Sequence, residues 1–176
     1  MKTSFLFKGD HLWVCRSGAD VVFLFDNDPE PSACPEPVGD DISVASAEAP
    51  PLPGAELISL RAFFDLVPAE TAAQAGLARQ LLHWRQTHRF CGVCGAPLAR
   101  HPTERAMACA GCGHIAYPRI NPVVITLVYR DRQILLAHKA GGLYPFWSII
   151  AGFVEANESL EETVAREIAE EVGLTV

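Results

Sequence analysis

Three glutamates near the end of the 176-residue chain, Glu167, Glu170 and Glu171, are spaced for chemistry. On a helix turning about 100° per residue they fall at i, i+3 and i+4, so their carboxylates share one face. Like charges placed this way repel unless divalent cations sit between them. Mg²⁺ suits such a site because it takes hard oxygen ligands and shares its shell with waters and substrate phosphates. The glutamates belong to a longer pattern, Gly-x5-Glu-x7-Arg-Glu-Φ-x-Glu-Glu-x-Gly-Φ with Φ a bulky apolar residue, filled by Gly152, Glu158, Arg166, Glu167, Ile168, Glu170, Glu171, Gly173 and Leu174. Arg166 is expected to hold one of the carboxylates in position. Gly152 is expected to break the strand before it and let the loop turn sharply. A glutamate-rich helix is ordinarily just a solvated face; here the spacing, the preceding glycine and Arg166 reverse that reading.

A second constellation lies upstream. Cys91-Gly92-Val93-Cys94 and Cys109-Ala110-Gly111-Cys112 form two Cys-x-x-Cys pairs separated by fourteen residues. Four soft sulfurs in that arrangement suit a closed tetrahedral zinc shell, one ion per chain, structural because no position is left for water. Gly95 and Gly113 follow the second cysteine of each pair, where a knuckle needs an unhindered backbone. His101 and His114 are close in sequence, but the thiolates already fill the shell. Cys15 and Cys34 are left over and read as free thiols.

The elements that must carry these residues follow from the pattern of apolar side chains. Leu12 to Phe25 reads as a hairpin around Ser17-Gly18, and Pro29 to Pro53, rich in Pro, Ala, Ser and acids, as a loop or linker. Leu57 to Phe64 is predicted to be a strand. A helix is predicted from Pro68, with Ala75, Ala78, Leu81, Leu82 and Trp84 on its inner face. Val123 to Tyr129 and Gln133 to Ala137 read as a hairpin across Arg130, Asp131 and Arg132, and Ser148 to Ala151 as a short strand. The last helix should start at Ser159, capped reciprocally by Glu162, carry an apolar stripe of Leu160, Val164, Ile168 and Val172, and stop at Gly173.

The pattern from Gly152 to Leu174 resembles the signature of the Nudix superfamily of diphosphate hydrolases. A zinc ribbon directly before it, joined through Tyr117-Pro118 and a strand pair, resembles the NADH pyrophosphatase branch, from about Leu57 to the C-terminus. The resemblance implies an α+β chain: an N-terminal mixed α/β domain over 1–89 with the Pro-rich loop 29–53, a zinc ribbon over 90–119, and the first part of a Nudix α/β/α sandwich over 120–176. That sandwich is expected to be truncated, because the family's Ser-Gln-Pro-Trp-Pro-Phe-Pro-x-Ser signature and its remaining strands and helix lie beyond Val176. The implied activity is metal-dependent cleavage of NADH or NAD to nicotinamide mononucleotide and AMP, or removal of NAD caps from the 5′ end of RNA. Ala151, Glu167 and Glu171 match metal-binding positions for Mg²⁺ or Mn²⁺, with Glu170 in the same acidic cluster. The catalytic set would be Arg166, Glu167, Glu170 and Glu171, the last taking the proton from water. Arg61, Glu104 and Tyr117 match positions that contact the dinucleotide. The resemblance also implies a homodimer.

Composition restricts the alternatives. The net charge of −7 argues against a protein that coats nucleic acid or an anionic membrane. A local exception runs from Arg79 to Arg119, where Arg79, Arg85, Arg89, Arg100, Arg105 and Arg119 face one acid, Glu104; this reads either as solvated arginines or as a wall facing phosphates. No apolar run approaches the ~18 residues of a membrane span, and Phe5 to Phe7 is cut off by Lys8, Gly9 and Asp10 before a signal-peptide core forms, so the expected location is the cytoplasm. Two other readings compete: a Nudix hydrolase for ADP-ribose, a sugar nucleotide or a dinucleoside polyphosphate, and a zinc-ribbon module that binds RNA or protein without turnover.

Overall fold

The computed structural model describes residues 3–17, 20–22, 36–37, 42–46, 53–138, 141 and 146–176. They divide into two compact units, Met1–Pro118 and Arg119–Val176. Helices and sheets are mixed in the chain, and none of the sheets among the described residues closes into a barrel.

The first unit is built on β1 (Thr3–Lys8), β2 (His11–Ser17), β3 (Asp20–Val22), β4 (Glu36–Pro37), β5 (Ile42–Ser46) and β6 (Glu56–Ser59). These run in the order β3-β2-β1-β5-β4, with β6 added on β2. β1 and β2 are antiparallel, whereas β1 and β5 are parallel, with Phe5 opposite Val44. Alternation along a strand sends Phe5 and Phe7, Leu12 and Val14 to one face. There they pack with Val44, with Phe63, and with Ala75, Ala78, Leu81 and Trp84. Phe5 and Phe63 meet edge to face, centroids 6.5 Å apart.

Two expectations change here. The stretch from Pro29 to Pro53 contains β4 and β5, so it is not all linker; Ile42 and Val44 give it enough β-branched character to pair once β1 offers an edge. Leu57 to Phe64 is not one strand: β6 ends at Ser59, and α1 (Leu60–Phe64) begins because the Ser59 hydroxyl accepts from the Ala62 N–H at 3.2 Å. α2 (Ala69–Thr87) starts where predicted, with Pro68 as its N-cap rather than in its first turn. Its inner residues Ala75, Ala78, Leu81 and Trp84 are buried, and Leu82 is partly so. The predicted hairpin of β2 and β3 is present, with Ser17 opposite Asp20; Gly18 and residues 23–25 lie outside the described residues, as does Cys34. Cys15 is a half-buried free thiol.

Next come the ribbon strands β7 (Leu98–Arg100), β8 (Met107–Cys109) and β9 (Ile115–Ala116), an antiparallel three-stranded sheet. Met107 packs partly against the core of the unit.

In the second unit β10 (Val123–Thr126) pairs with β13 (Ile150–Phe153), and β11 (Tyr129–Arg130) with β12 (Gln133–Ile134). The hairpin is where the sequence placed it, with Asp131 at φ 55° in its turn, but Val123 to Tyr129 is split between two partners. Of the loop from Gly141 to Trp147, only 141, 146 and 147 are described. α3 (Leu160–Val172) opens with the predicted capping box: Glu162 N–H to Ser159 Oγ at 3.2 Å and Ser159 N–H to Glu162 Oε2 at 2.7 Å. It closes on Gly173 at φ 68°. Ile168 is buried and Val164 and Val172 are partly buried, but Leu160 is exposed, and Thr163 is the fully buried residue of the first turns. Ser159→Ala is expected to cost about 1 kcal/mol, because it orphans one backbone donor; urea unfolding of the parent and the variant measures it.

Candidate metal centres and acid cluster

The ribbon knuckles are two copies of one backbone turn. In the first, Cys91 N–H donates to Ala96 O at 2.8 Å and Gly95 N–H to Cys91 O at 2.9 Å; in the second, Cys109 N–H donates to His114 O at 2.9 Å and Gly113 N–H to Cys109 O at 2.9 Å. Gly95 and Gly113 take φ values of 73° and 75°, which explains glycine after each pair. The turns bring the sulfurs of Cys91, Cys94, Cys109 and Cys112 together, all within 4.8 Å of one another. Sγ–Sγ distances are 3.7 Å for Cys91 and Cys112 and 3.5 Å for Cys94 and Cys109.

Cys91 and Cys112 are driven in opposite directions. The N–H groups of Cys94 and Val93 hold the Cys91 thiol down at about 6. The His114 N–H acts in the same direction on Cys112, but its sulfur neighbours and burial outweigh it and push that thiol up to about 12. A dication among the sulfurs removes this conflict by letting all four ionise, so the donor set fits zinc. The histidines stand apart: His101 Nδ1 is turned to the N–H groups of Glu104, at 3.1 Å, and Thr103, at 3.4 Å, and His114 contributes its carbonyl to the second knuckle.

The acid cluster is organised around Gly152. This glycine does not break its strand; it lies inside β13, paired with Val124. Its missing side chain is what matters, since a Cβ there would lie 1.9 Å from the carboxyl carbon of Glu167 and 2.1 and 2.3 Å from its oxygens. Glycine is required for close approach, and Glu167 is seated on β13 at Gly152.

Arg166 holds the rest. Its Nε donates to Glu158 Oε1 at 2.6 Å and its Nη2 to Glu158 Oε2 at 3.0 Å and to the Phe153 carbonyl at 2.9 Å. Its Nη1 reaches Glu167 Oε1 at 2.8 Å and Glu170 Oε2 at 3.2 Å. One guanidinium therefore ties strand, loop and helix to two of the cluster carboxylates. Glu171 is exposed at the end of α3, and Ala151 is exposed in β13 opposite Ile125. Among the described residues only the cysteines already converge within 4.8 Å; the helix glutamates share a face and two of them are drawn to Arg166. Hard oxygen donors on one helix face, with Glu167 seated against strand backbone, fit a divalent cation.

The three dinucleotide-contact candidates all lie in the first unit. Tyr117 donates its hydroxyl to Glu104 Oε2 at 2.5 Å, a contact that spacing did not reveal and that raises the Tyr117 pKa. Arg61 is exposed on α1 and hydrogen-bonded to neither. The arginine-rich stretch is partly engaged by the chain's own side chains: Arg79 pairs with Asp10 at 2.6 Å, and Arg89 lies over the exposed Phe90 ring.

Glu158 and Arg166 were both visible in the pattern, but their pairing was not. The Arg166 guanidinium, aided by the Glu155 N–H, lowers its pKa from 4.5 to about 2. A carboxylate with a depressed folded pKa contributes stability that is complete above its unfolded value and is lost as pH falls through the folded one. Stability of the second unit is therefore expected to decline from about pH 4.5 to about 2. Thermal unfolding across that window should show the decline, and Glu158→Gln should flatten it.

Residues 119–176 match the family described as the NUDIX domain, residues 86–117 the NADH pyrophosphatase zinc ribbon domain, and residues 8–84 the NADH pyrophosphatase-like rudimentary NUDIX domain. The chain is 42% identical over 125 residues to the NAD-capped RNA hydrolase NudC of Stutzerimonas stutzeri, covering 71% of this chain and 45% of that protein. It is 40% identical over 135 residues to the protein of that name from Deinococcus radiodurans, 74% and 48% respectively, and 43% identical over 129 residues to that from Chromobacterium violaceum, 72% and 48%. The chain spans about half the length of the curated relatives it matches.

Proposed function

Because the chain belongs to the Nudix superfamily in its NADH pyrophosphatase form, we propose that it takes part in hydrolysis of the diphosphate of NADH or NAD to nicotinamide mononucleotide and AMP, and of NAD-capped RNA at its 5′ end. The observation that carries this reading is the seat of Glu167 at Gly152, locked by Arg166, in a chain that also holds a closed four-cysteine cluster.

Mg²⁺ or Mn²⁺ held by the Ala151 carbonyl, Glu167, Glu170 and Glu171 would neutralise charge on the phosphate oxygens. Arg166 keeps Glu167 and Glu170 on one face. Glu171 makes no contact with Arg166 and is solvent-facing, which suits it to take the proton as a water attacks phosphorus and the bridging oxygen leaves with the other phosphate. Zinc in the ribbon is structural. Arg61, Glu104 and Tyr117 are proposed to contact the dinucleotide, with Tyr117 presenting an exposed ring.

The domain limits 1–89, 90–119 and 120–176, a homodimer and a cytoplasmic setting are parts of the same proposal and rest on the resemblance alone. Among the described residues no helix is long and apolar enough to cross a membrane. The test is incubation of the zinc-loaded chain with NADH and Mg²⁺ or Mn²⁺, with products separated by chromatography. AMP and reduced nicotinamide mononucleotide from the parent, and neither from Glu171→Gln, are expected. Equal product from both would assign the activity to something other than this cluster.

A further inference from the structure

We propose that Thr163 is a positioning residue for the acid cluster, acting through Glu158 and Arg166 to hold Glu167 and Glu170 where a divalent cation needs them. Thr163 occupies one of the unspecified positions between Glu158 and Arg166, so the motif gives it no role. It is nevertheless fully buried, the one buried polar side chain among the described residues. Threonine is a poorer helix former than alanine, and burying a hydroxyl is costly unless it is bonded, so its placement calls for a bonded role.

The hydroxyl has two acceptors in reach, Glu158 Oε2 at 2.9 Å and the Ser159 carbonyl at 3.0 Å. It has one proton, and a carboxylate is the stronger acceptor. Glu158 Oε2 also accepts from the Glu155 N–H at 3.0 Å and from Arg166 Nη2 at 3.0 Å, while Oε1 takes Arg166 Nε at 2.6 Å. Thr163 thus completes a set of donors from loop, helix and guanidinium that leaves the carboxylate little freedom to rotate. With Glu158 fixed, Arg166 has one orientation, and in that orientation Nη1 faces Glu167 and Glu170. Without the Thr163 hydroxyl the carboxylate can turn and carry the guanidinium with it. The competing bond, back to the Ser159 carbonyl, lies within the first turn of α3 and touches none of the cluster carboxylates.

This inference rests on the metal-binding reading of the cluster. Thr163→Val keeps the shape and removes the hydroxyl; Thr163→Ser keeps the hydroxyl. Mn²⁺ titrated calorimetrically into the zinc-loaded chain is expected to bind Thr163→Val about tenfold more weakly than the parent and Thr163→Ser within about twofold of it. The ¹⁵Nε–H signal of Arg166, which a passive packing role would leave in place, should broaden in Thr163→Val and persist in Thr163→Ser. If circular dichroism shows that Thr163→Val has lost helix, Thr163→Ala against Thr163→Ser isolates the hydroxyl instead. Unchanged Mn²⁺ affinity in the variant lacking the hydroxyl, or an equal loss in Thr163→Ser, overturns the proposal. A folded, zinc-loaded parent that binds no Mn²⁺ overturns the metal-site reading itself; the Arg166 signal then decides alone whether Thr163 positions the guanidinium.

Discussion

Cys94→Ser is expected to release the zinc and unfold the ribbon while the helical hydroxyl and carboxylate network around Arg166 persists. Cys94 stands 3.5 Å from Cys109 in a cluster whose four sulfurs lie within 4.8 Å of one another, so one lost thiolate opens the shell rather than loosening it. Binding of a structural zinc supplies on the order of 10 kcal/mol in small domains, far more than the few contacts a three-stranded ribbon makes for itself. Serine cannot substitute, because its hydroxyl does not ionise near neutral pH. Elemental analysis should find zinc absent from the variant, and limited proteolysis should find new cleavage between residues 91 and 112. One zinc per chain retained by Cys94→Ser would remove the case for a four-thiolate site.

Gly152→Ala is expected to separate function from stability. The added methyl meets the carboxyl group of Glu167 at 1.9 Å, and that group is the far end of a side chain that can rotate away. The backbone therefore stays where it is, and the melting temperature should move by no more than a few degrees, the scale of about 1 kcal/mol in a small domain. The acid cluster does not escape. Rotation breaks the 2.8 Å bond from Arg166 and removes Glu167 from its seat at Gly152. Divalent-cation affinity should fall by 10- to 100-fold, roughly the effect of losing a group that orients a metal ligand. Mn²⁺ binding measured beside calorimetric unfolding checks both halves. Parent-like affinity would show that the seat of Glu167 does not matter.

The parts of this protein that were readable from sequence are those whose causes are local. The knuckles need glycine at fixed offsets, and the capping box needs Ser159 and Glu162 three residues apart; both appear in the structure as expected. What escaped depends on distant partners. β5 has little local signal and exists because β1 offers an edge. Leu60 to Phe64 looks like a strand until Ser59 caps it. Gly152 reads as a strand breaker when only its own chain is considered; its purpose is visible only when Glu167 arrives from the helix. The bond between Tyr117 and Glu104 reaches back to the end of a turn ordered by His101, which no spacing rule reports.

The parallel pairing of β1 with β5 bears on the order in which the chain assembles. The two strands lie about 40 residues apart in sequence, and closing so long a loop costs entropy before any contact repays it, which slows folding. Each cysteine knuckle, by contrast, closes within a handful of residues. During synthesis β1 can pair with β2 as soon as both are made but must wait for β5, and the face that carries Phe5 and Phe7 stays open until α2 brings Ala75, Ala78, Leu81 and Trp84.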